Sequence, residues 1–418
     1  MAEDGQKAAS EFVEAPPTVL FTSTGPWAFT ARLALELSKA GIDVSVLCPA
    51  NHPLLKTRAV QQVFRYDPFG PLRSLRNAIH ATAPQMIIPC DDRAVEHVHE
   101  LYRTVMREER AGITTLIERS LGPADSYPIT SSRRRLLQIA REEGIAVPDT
   151  QPIRTLGDCD ALNAEKYPWV LKADGTWGGR GVNIAVGRRA ARRAFLRLRR
   201  IFGLTRVMKR IVFDRDLFWR RSRPAIIAQQ YIRGIPANCA AVCWRGQVLA
   251  GSAVEVLSAG GNTKPATVVR VIQSPEMITA TIKIARRLGL SGFFGLDFMI
   301  EKASGIPYLI EMNPRCTPLC HLRLGNGSDL IGALAAELRG QQDAGAPPVT
   351  GKDIIAYFPQ ALQEHRKLLE ASYLDIPYEE PELIDELLRE SLARKLVARI
   401  SSSQTLRHAY ERMVSTSL

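Results

Sequence analysis

Apolar runs and amphipathic stretches alternate through the first 120 residues. Val19–Thr24 (VLFTST), Asp43–Cys48 (DVSVLC), Val63–Tyr66 and Met86–Cys90 (MIIPC) have the short, dense apolar character of buried strands. Between them, Trp27–Ala40, Leu72–Ala81 and Ala94–Val105 repeat apolar residues at helical spacing, and Gly41 stands where a C′ glycine would close the first helix. Strand and helix in turn predict a parallel sheet with crossover helices, ending near Gly122.

The pattern then changes. Ser131–Glu143 is a basic helix closed by Gly144, and Trp169–Ala173 is a strand that runs into a glycine-rich turn. Ala225–Tyr231 is apolar and extended. Cys239–Trp244 and Val248–Val256 pair around Arg245-Gly246, and Pro275–Leu288 is a helix. Phe293–Ile300 and Tyr308–Met312 read as a hairpin turning at Lys302–Gly305. Asp329–Arg339 is a helix, residues 340–349 have linker composition, and Asp353–Leu418 reads as mostly helical and amphipathic. No internal repeat is visible.

The expected architecture is therefore α/β. It has a disordered tail at 1–17, a parallel-sheet domain at 18–122, a second domain at 123–340 and a helical C-terminal extension at 341–418. A length of 418 residues suits two or three domains, and 45% hydrophobic with 23% charged residues is ordinary for a globular chain. A fibre, wholesale disorder and a disulfide-stapled miniprotein are excluded. No apolar run reaches the roughly 18 residues of a membrane span. Met1–Pro17 is acidic and has no apolar core, so it does not read as a secretory leader. Seven dispersed cysteines suit a reducing compartment, and the expected location is cytoplasmic.

Charge changes the picture at one place. Of the net +12, all of it lies between Gly187 and Pro224, where 14 Arg or Lys face two acids; the remainder carries 41 of each sign. Nucleic-acid binding would spread charge more widely and is not expected. Arg188–Arg223 mixes basic residues with Phe195, Leu196, Phe202, Phe213 and Trp219. That mixture suits a cover packed inward on its apolar side. It also suits an anionic membrane surface, with peripheral attachment there.

Three segments carry candidate chemistry. Lys172-Ala-Asp-Gly-Thr-Trp-Gly-Gly-Arg-Gly181 delivers a lysine from a buried strand into a turn holding Gly175, Gly178, Gly179 and Gly181. Backbone N–H groups in such a turn can wrap an oxyanion. The turn does not match the phosphate-loop pattern, and Ser23-Thr24-Gly25-Pro26 lacks the dinucleotide fingerprint, which disfavours a nicotinamide enzyme. In the hairpin, Glu311 and Asn313 alternate onto one face, and Asp297 can stand opposite them. Two carboxylates and an amide oxygen suit Mg²⁺, and Arg315 on the same face can bind a phosphoryl oxygen. Ile226–Gly234 is an extended apolar segment able to serve as an adenine hinge.

The order of these segments (lysine and glycine loop, hinge, then an acid followed by E-x-N-x-R) resembles the ATP-grasp superfamily. The likeness runs over roughly Asp125–Ala336, preceded by what looks like a pre-ATP-grasp domain. The flavour is that of the carbamoyl-phosphate synthetase and biotin carboxylase branch, with its carboxylate–amine ligases. The resemblance implies ATP and Mg²⁺, with Mn²⁺ as an alternative ion. Lys172 would contact ATP phosphates and, with Arg315, serve catalysis, while the loop Gly175–Gly181 closes over the phosphates. Gln230 and Ile232 would bind adenine through their backbone, and Gln229 would take the ribose position. Asp297, Glu311 and Asn313 would hold the metal. The small ATP lobe would span about 150–232. Small-molecule carboxylates and amines are the implied substrates, with acyl-phosphate formation and release of ADP and phosphate. A homodimer is the expected assembly.

Three features depart from the family pattern. Ser132-Arg133 stands where relatives carry Asp-Lys, so Arg133 would take the phosphate role. Gln229 replaces a common ribose-binding acid. Cys316-Thr-Pro-Leu-Cys-His321 follows the metal strand where biotin carboxylases have Glu-His, so a biotin enzyme is not expected. The first two departures also suit an ATP-binding regulatory or scaffold protein. A nucleotide-sugar transferase reading leaves E-x-N-x-R unexplained. Glu255, Thr317 and His321 are candidate substrate contacts. The paired cysteines have poor zinc spacing and read as small buried hydrophobes. Asp91 and Asp92 end a strand at its carboxyl edge, where helix capping is the simpler role.

Overall fold

β1 (Thr18–Thr22) lies at the centre of the first sheet because both its faces are apolar and buried. It pairs in parallel with β2 (Asp43–Cys48) on one side and β4 (Met86–Pro89) on the other, and β3 (Val60–Arg65) pairs with β2. The order is β3-β2-β1-β4. α1 (Ala28–Lys39) and α2 (Pro71–Thr82) are helical crossovers between its strands, and α3 (Asp92–Arg107) and α4 (Ala111–Leu121) lead out after β4. This is the expected parallel domain; α4 was not separately legible. The computed structural model describes residues 15–107, 111–175, 181–201, 225–260, 265–324, 329–343 and 345–389. The expected N-terminal tail lies almost wholly outside these residues.

After α5 (Tyr127–Thr130) and α6 (Arg133–Glu142) comes a small antiparallel sheet, ordered β5-β8-β6-β7. Its strands are β5 (Thr150–Ile153), β6 (Trp169–Ala173), β7 (Val182–Ala185) and β8 (Ile226–Gln230). α7 (Leu156–Asp160) and α8 (Arg188–Ile201) cover one face. Ala191, Phe195 and Leu198 of α8 enter the same core as Trp169, Leu171 and Ala185, while Arg188, Arg189 and Arg193 are exposed. In α8, then, the arginine-rich stretch is an inward-packed cover. Its continuation, 202–224, lies outside the described residues.

The largest sheet runs β13-β12-β9-β10-β11-β14-β15. It comprises β9 (Gly234–Trp244), β10 (Gln247–Ala259), β11 (Ala266–Ile272), β12 (Gly292–Glu301), β13 (Pro307–Asn313), β14 (Ile354–Tyr357) and β15 (Tyr373–Asp375). The last two strands revise the reading of the C-terminal extension. It has helices at Arg366–Ala371 and 381–389, but it also completes this sheet. Strands of three or four residues inside a polar stretch leave little period-2 signal. One face of the sheet packs on Leu136, Leu137 and the helix Pro275–Leu288. The other shares a continuous core with α1, β1 and β2, closed by Leu383 and Leu387. Gly292 is required at this junction: its φ is 79°, and a Cβ there would lie 2.5 Å from the Ser120 carbonyl oxygen. No helix among the described residues is long and apolar enough to cross a membrane.

Candidate active site

A cleft of about 910 Å³ opens where the small sheet, the large sheet and the first domain meet. Val170, Lys172 and Gln229–Ile232 line it from the small sheet; Asn238, Asp297, Glu311 and Asn313 line it from the large one. Arg32 and Asp92 reach it from the first domain.

The hairpin register brings the acids together. Asp297 pairs directly with Glu311, and Gly295 pairs with Asn313. Position 295 has to be glycine, because a Cβ there would come within 2.7 Å of the Thr317 methyl. Asp297 accepts hydrogen bonds from the amides of Asn238 (2.6 Å) and Asn313 (3.1 Å). Burial, followed by the neighbouring Glu311 charge, nevertheless pushes the Asp297 carboxyl above its usual range. Burial would push Glu311 up as well. The Arg133 guanidinium and the Lys172 ammonium outweigh it and hold Glu311 below the ordinary value.

Lys172 is 5% exposed at the end of β6, and burial lowers its ammonium to about 8 although Glu311 opposes that shift. Arg133 opens α6, and its Nη2 donates to Glu311 Oε1 at 2.7 Å while Nη1 donates to the Ala173 carbonyl at 2.8 Å. Asp174 fixes that helix start, accepting from the Arg133 N–H at 3.3 Å and from Ser132 Oγ at 3.2 Å. Arg315 contacts Asp92 Oδ2 at 3.1 Å and Asn313 Oδ1 at 3.3 Å.

These groups fit a hard divalent cation. Two carboxylates paired directly in the hairpin register and an amide oxygen are the donor set it prefers, and a cation there would offset the burial and the Glu311 charge that raise Asp297. Among the described residues no cluster of three His, Cys, Asp or Glu forms, because the third donor is an asparagine.

Thr317 and His321 also line the cleft, and both are buried. Glu255 does not. Its neighbours Val254 and Val256 face the cleft, so alternation turns Glu255 to the other side, where it meets Arg270 at 2.8 Å. Gly175 lines the cleft with φ 68°, and Gly181 is buried; Gly178 and Gly179 lie outside the described residues. Gln229 is 2% exposed, and its Nε2 has no partner among the described residues. The Gln230 N–H is already donated to the Asp149 carbonyl at 2.8 Å, while Ile232 remains at the cleft wall.

Residues 130–318 form an ATP-grasp domain. The family model matches over that span, which holds the small sheet, the hairpin and every cleft residue named above except Arg32, Asp92 and His321. The ATP-grasp domain also brings likenesses that extend beyond it. The carbamoyl phosphate synthase arginine-specific large chain of Halalkalibacterium halodurans is 22% identical over 294 residues, 68% of this chain. The match takes in about a quarter (26%) of that relative's length. The L-amino acid ligase of Bacillus licheniformis shares the fold with a TM-score of 0.58 at 14% identity, covering 82% of this chain and 80% of the other. The biotin carboxylase domain of the Hydrogenobacter thermophilus 2-oxoglutarate carboxylase gives 0.58 at 15% identity, covering 79% and 72%.

Three participants escaped the sequence reading. Asn238, which fixes Asp297, is an unremarked polar residue in an apolar strand. Asp375 and Arg32 reach the cleft from far outside the domain, and their separation of 343 positions from each other left no local signal.

Proposed function

We propose that this chain is an ATP- and Mg²⁺-dependent carboxylate–amine ligase that works through an acyl-phosphate and releases ADP and phosphate. The observation that carries the reading is the meeting of Lys172 and Arg133 with Asp297, Glu311 and Asn313 in one cleft. Two unit negative charges about 4 Å apart repel by about 4 kcal/mol at an effective dielectric near 20. An attacking carboxylate and a terminal phosphoryl face that repulsion, and a bound Mg²⁺ supplies the charge that offsets it. Asp297, Glu311 and Asn313 would hold the ion. Lys172 and Arg315 would steady phosphoryl oxygens, and the loop Gly175–Gly181, with Gly178 and Gly179, would exclude water from the acyl-phosphate. Gln229, Gln230 and Ile232 would frame the nucleoside. A phosphate beside Lys172 would restore the ammonium that burial disfavours.

The named relatives include an L-amino acid ligase, so amino acids head the list of carboxylates and amines to be screened in pairs for ADP release. ADP that forms only when both partners are present supports ligation. Hydrolysis indifferent to both removes it. A second reading, an ATP-binding protein that does not ligate, draws on the Arg133–Glu311 ion pair, which occupies a metal-ligand oxygen. Tight ATP binding without turnover for any pair would favour it.

A further inference from the structure

Beyond the hairpin the cleft wall passes out of the ATP-grasp domain. There His321, from the turn after β13, meets Asp375 of β15 and Arg32 of α1. His321 Nε2 lies 2.7 Å from Asp375 Oδ2, and Arg32 Nη2 lies 2.5 Å from Asp375 Oδ1. A second Arg32 nitrogen donates to the Asp375 backbone carbonyl. The exposures are 3% for His321, 2% for Asp375 and 7% for Arg32. All three residues line the cleft.

A carboxylate accepts, so the neutral imidazole has its proton on Nε2 and a lone pair on Nδ1. That Nδ1 is buried and has no hydrogen-bond partner among the described residues. Buried polar atoms are ordinarily paired, and an unpaired acceptor on a residue that lines the cleft leaves a place for a donor from a ligand. A cationic amine is such a donor.

We propose that His321 Nδ1 is the proton acceptor for the amine substrate. The proposal rests on the ligase reading above. Asp375 and Arg32 are positioning residues: the carboxylate selects the tautomer, and the guanidinium keeps the carboxylate ionised and oriented. The acceptor subsite is thus built by the first domain and the C-terminal strand around a core they share.

The step balances as follows. The ammonium group gives one proton to Nδ1 and becomes a free amine. Its lone pair forms the C–N bond to the acyl carbon, and the bond from that carbon to the phosphate oxygen breaks. Phosphate leaves with the electron pair and takes the second nitrogen proton, departing as hydrogenphosphate. His321 returns its proton to water.

The groups around the ring leave this role open. Tyr357 of β14 is buried and raised, the half-buried Tyr373 of β15 is raised as well, and burial pushes the Cys320 thiol up to about 12. All three are therefore uncharged at neutral pH. Arg32 neutralises Asp375, while Glu36 and Glu379 are taken up by Lys39.

The test compares two nucleophiles on the full chain, with the carboxylate found in the screen. Hydroxylamine is largely unprotonated at pH 7 and needs no base; the amine substrate does. His321→Gln is expected to lower kcat/KM for the amine about 100-fold, the low end of general-base effects. It should leave hydroxamate formation within about threefold and flatten the acid limb of the amine pH profile. Equal loss with both nucleophiles, or loss with neither, overturns the proposal. Failure of wild type to make hydroxamate removes the ligase reading, and this one with it. A second measurement needs no substrate: nitrogen-15 spectra of histidine-labelled protein at pH 8.5 should show His321 with its proton on Nε2. A proton on Nδ1 overturns the assignment. Asp375→Asn should lose that tautomer preference.

Discussion

The Ser23–His52–Asp91 cluster in the first domain and the Arg32–Asp375–His321 cluster on the cleft wall use similar side chains to opposite ends. In the first, His52 Nδ1 accepts the Leu54 N–H at 3.0 Å, so Nε2 bears the proton and donates to Ser23 Oγ at 3.1 Å. The serine proton then goes to Asp91 Oδ2 or the Gly25 carbonyl. Asp91 also accepts from Thr24 N, Thr24 Oγ1 and the Ala94 N–H that opens α3. The arrangement looks like a nucleophile triad, but its histidine cannot take the serine proton. Each of these groups is already paired, and the cluster ties the turn after β1 to α3. In the second cluster one ring nitrogen has no partner among the described residues, and its residue lines a cleft. A complete network holds a fold; an incomplete one at a cavity wall is available to a ligand.

The largest expected effect breaks the two kinds of site apart. Glu311→Gln should lower ATP turnover per folded molecule by about 100- to 1,000-fold, in the range of electrostatic contributions to transition-state stabilisation, a loss that outweighs whatever stability goes with the lost counterion of Arg133 and Lys172. Asp91→Ala should do the reverse. It strands several buried donors, so stability should fall by about 2–4 kcal/mol, while turnover per folded molecule stays within threefold. Denaturant titration and initial rates on the same samples check both. If Asp91→Ala removed turnover without loss of stability, the first cluster would be a site after all.

Acid sharpens the contrast, because the clusters fail in different windows. Burial holds the His52 imidazole down at about 4, against an ordinary 6.5. A depressed folded value means that stability is complete above pH 6.5 and is lost as pH falls toward 4. From pH 7 to 5 the loss at His52 should be about 2 kcal/mol. His99, which burial lowers to about 3, adds a similar loss. Burial opposes ionisation of Asp375, but His321 and Arg32 prevail and bring it to about 2 from 3.8. Its contribution, about 2 kcal/mol, is intact above pH 4 and is lost only between about 4 and 2. A His52→Asn variant should therefore lose about 2 kcal/mol less than wild type between pH 7 and 5 and keep the steeper fall below 4. Urea melts at stepped pH would show a single common window if the comparison is wrong.

The sequence was most legible where structure is periodic or where chemistry sits on adjacent positions. The parallel strands of the first domain and the face shared by Glu311 and Asn313 follow from spacing alone, and the hairpin register then sets Asp297 against Glu311. Four-residue and shorter strands such as β5, β7, β14 and β15 carry too few alternations to stand out, and the sheet recruits them through neighbours. The cleft wall at Asp375 depends on contacts across more than 300 positions, which no local pattern encodes. Glu255 shows the converse failure: position between two motifs suggested the cleft, but strand alternation, with the cleft on the side of Val254 and Val256, decides against it.

That residue supplies the smallest expected effect. Glu255 and Arg270 stand opposite each other in the register of β10 and β11, 2.8 Å apart, with the arginine side chain 43% exposed. A cross-strand ion pair of this exposure contributes about 0.2–1 kcal/mol, and less in high salt. Glu255→Gln should lower stability by no more than that at low ionic strength, with the difference shrinking at 1 M salt. ADP release with the screened pair should stay within twofold of wild type, since the side chain is turned from the cleft. A tenfold fall in kcat/KM for either substrate, without a change in the urea midpoint, would mean that this strand face is exposed to substrate during turnover, and the division between closed and open networks would then have to include it.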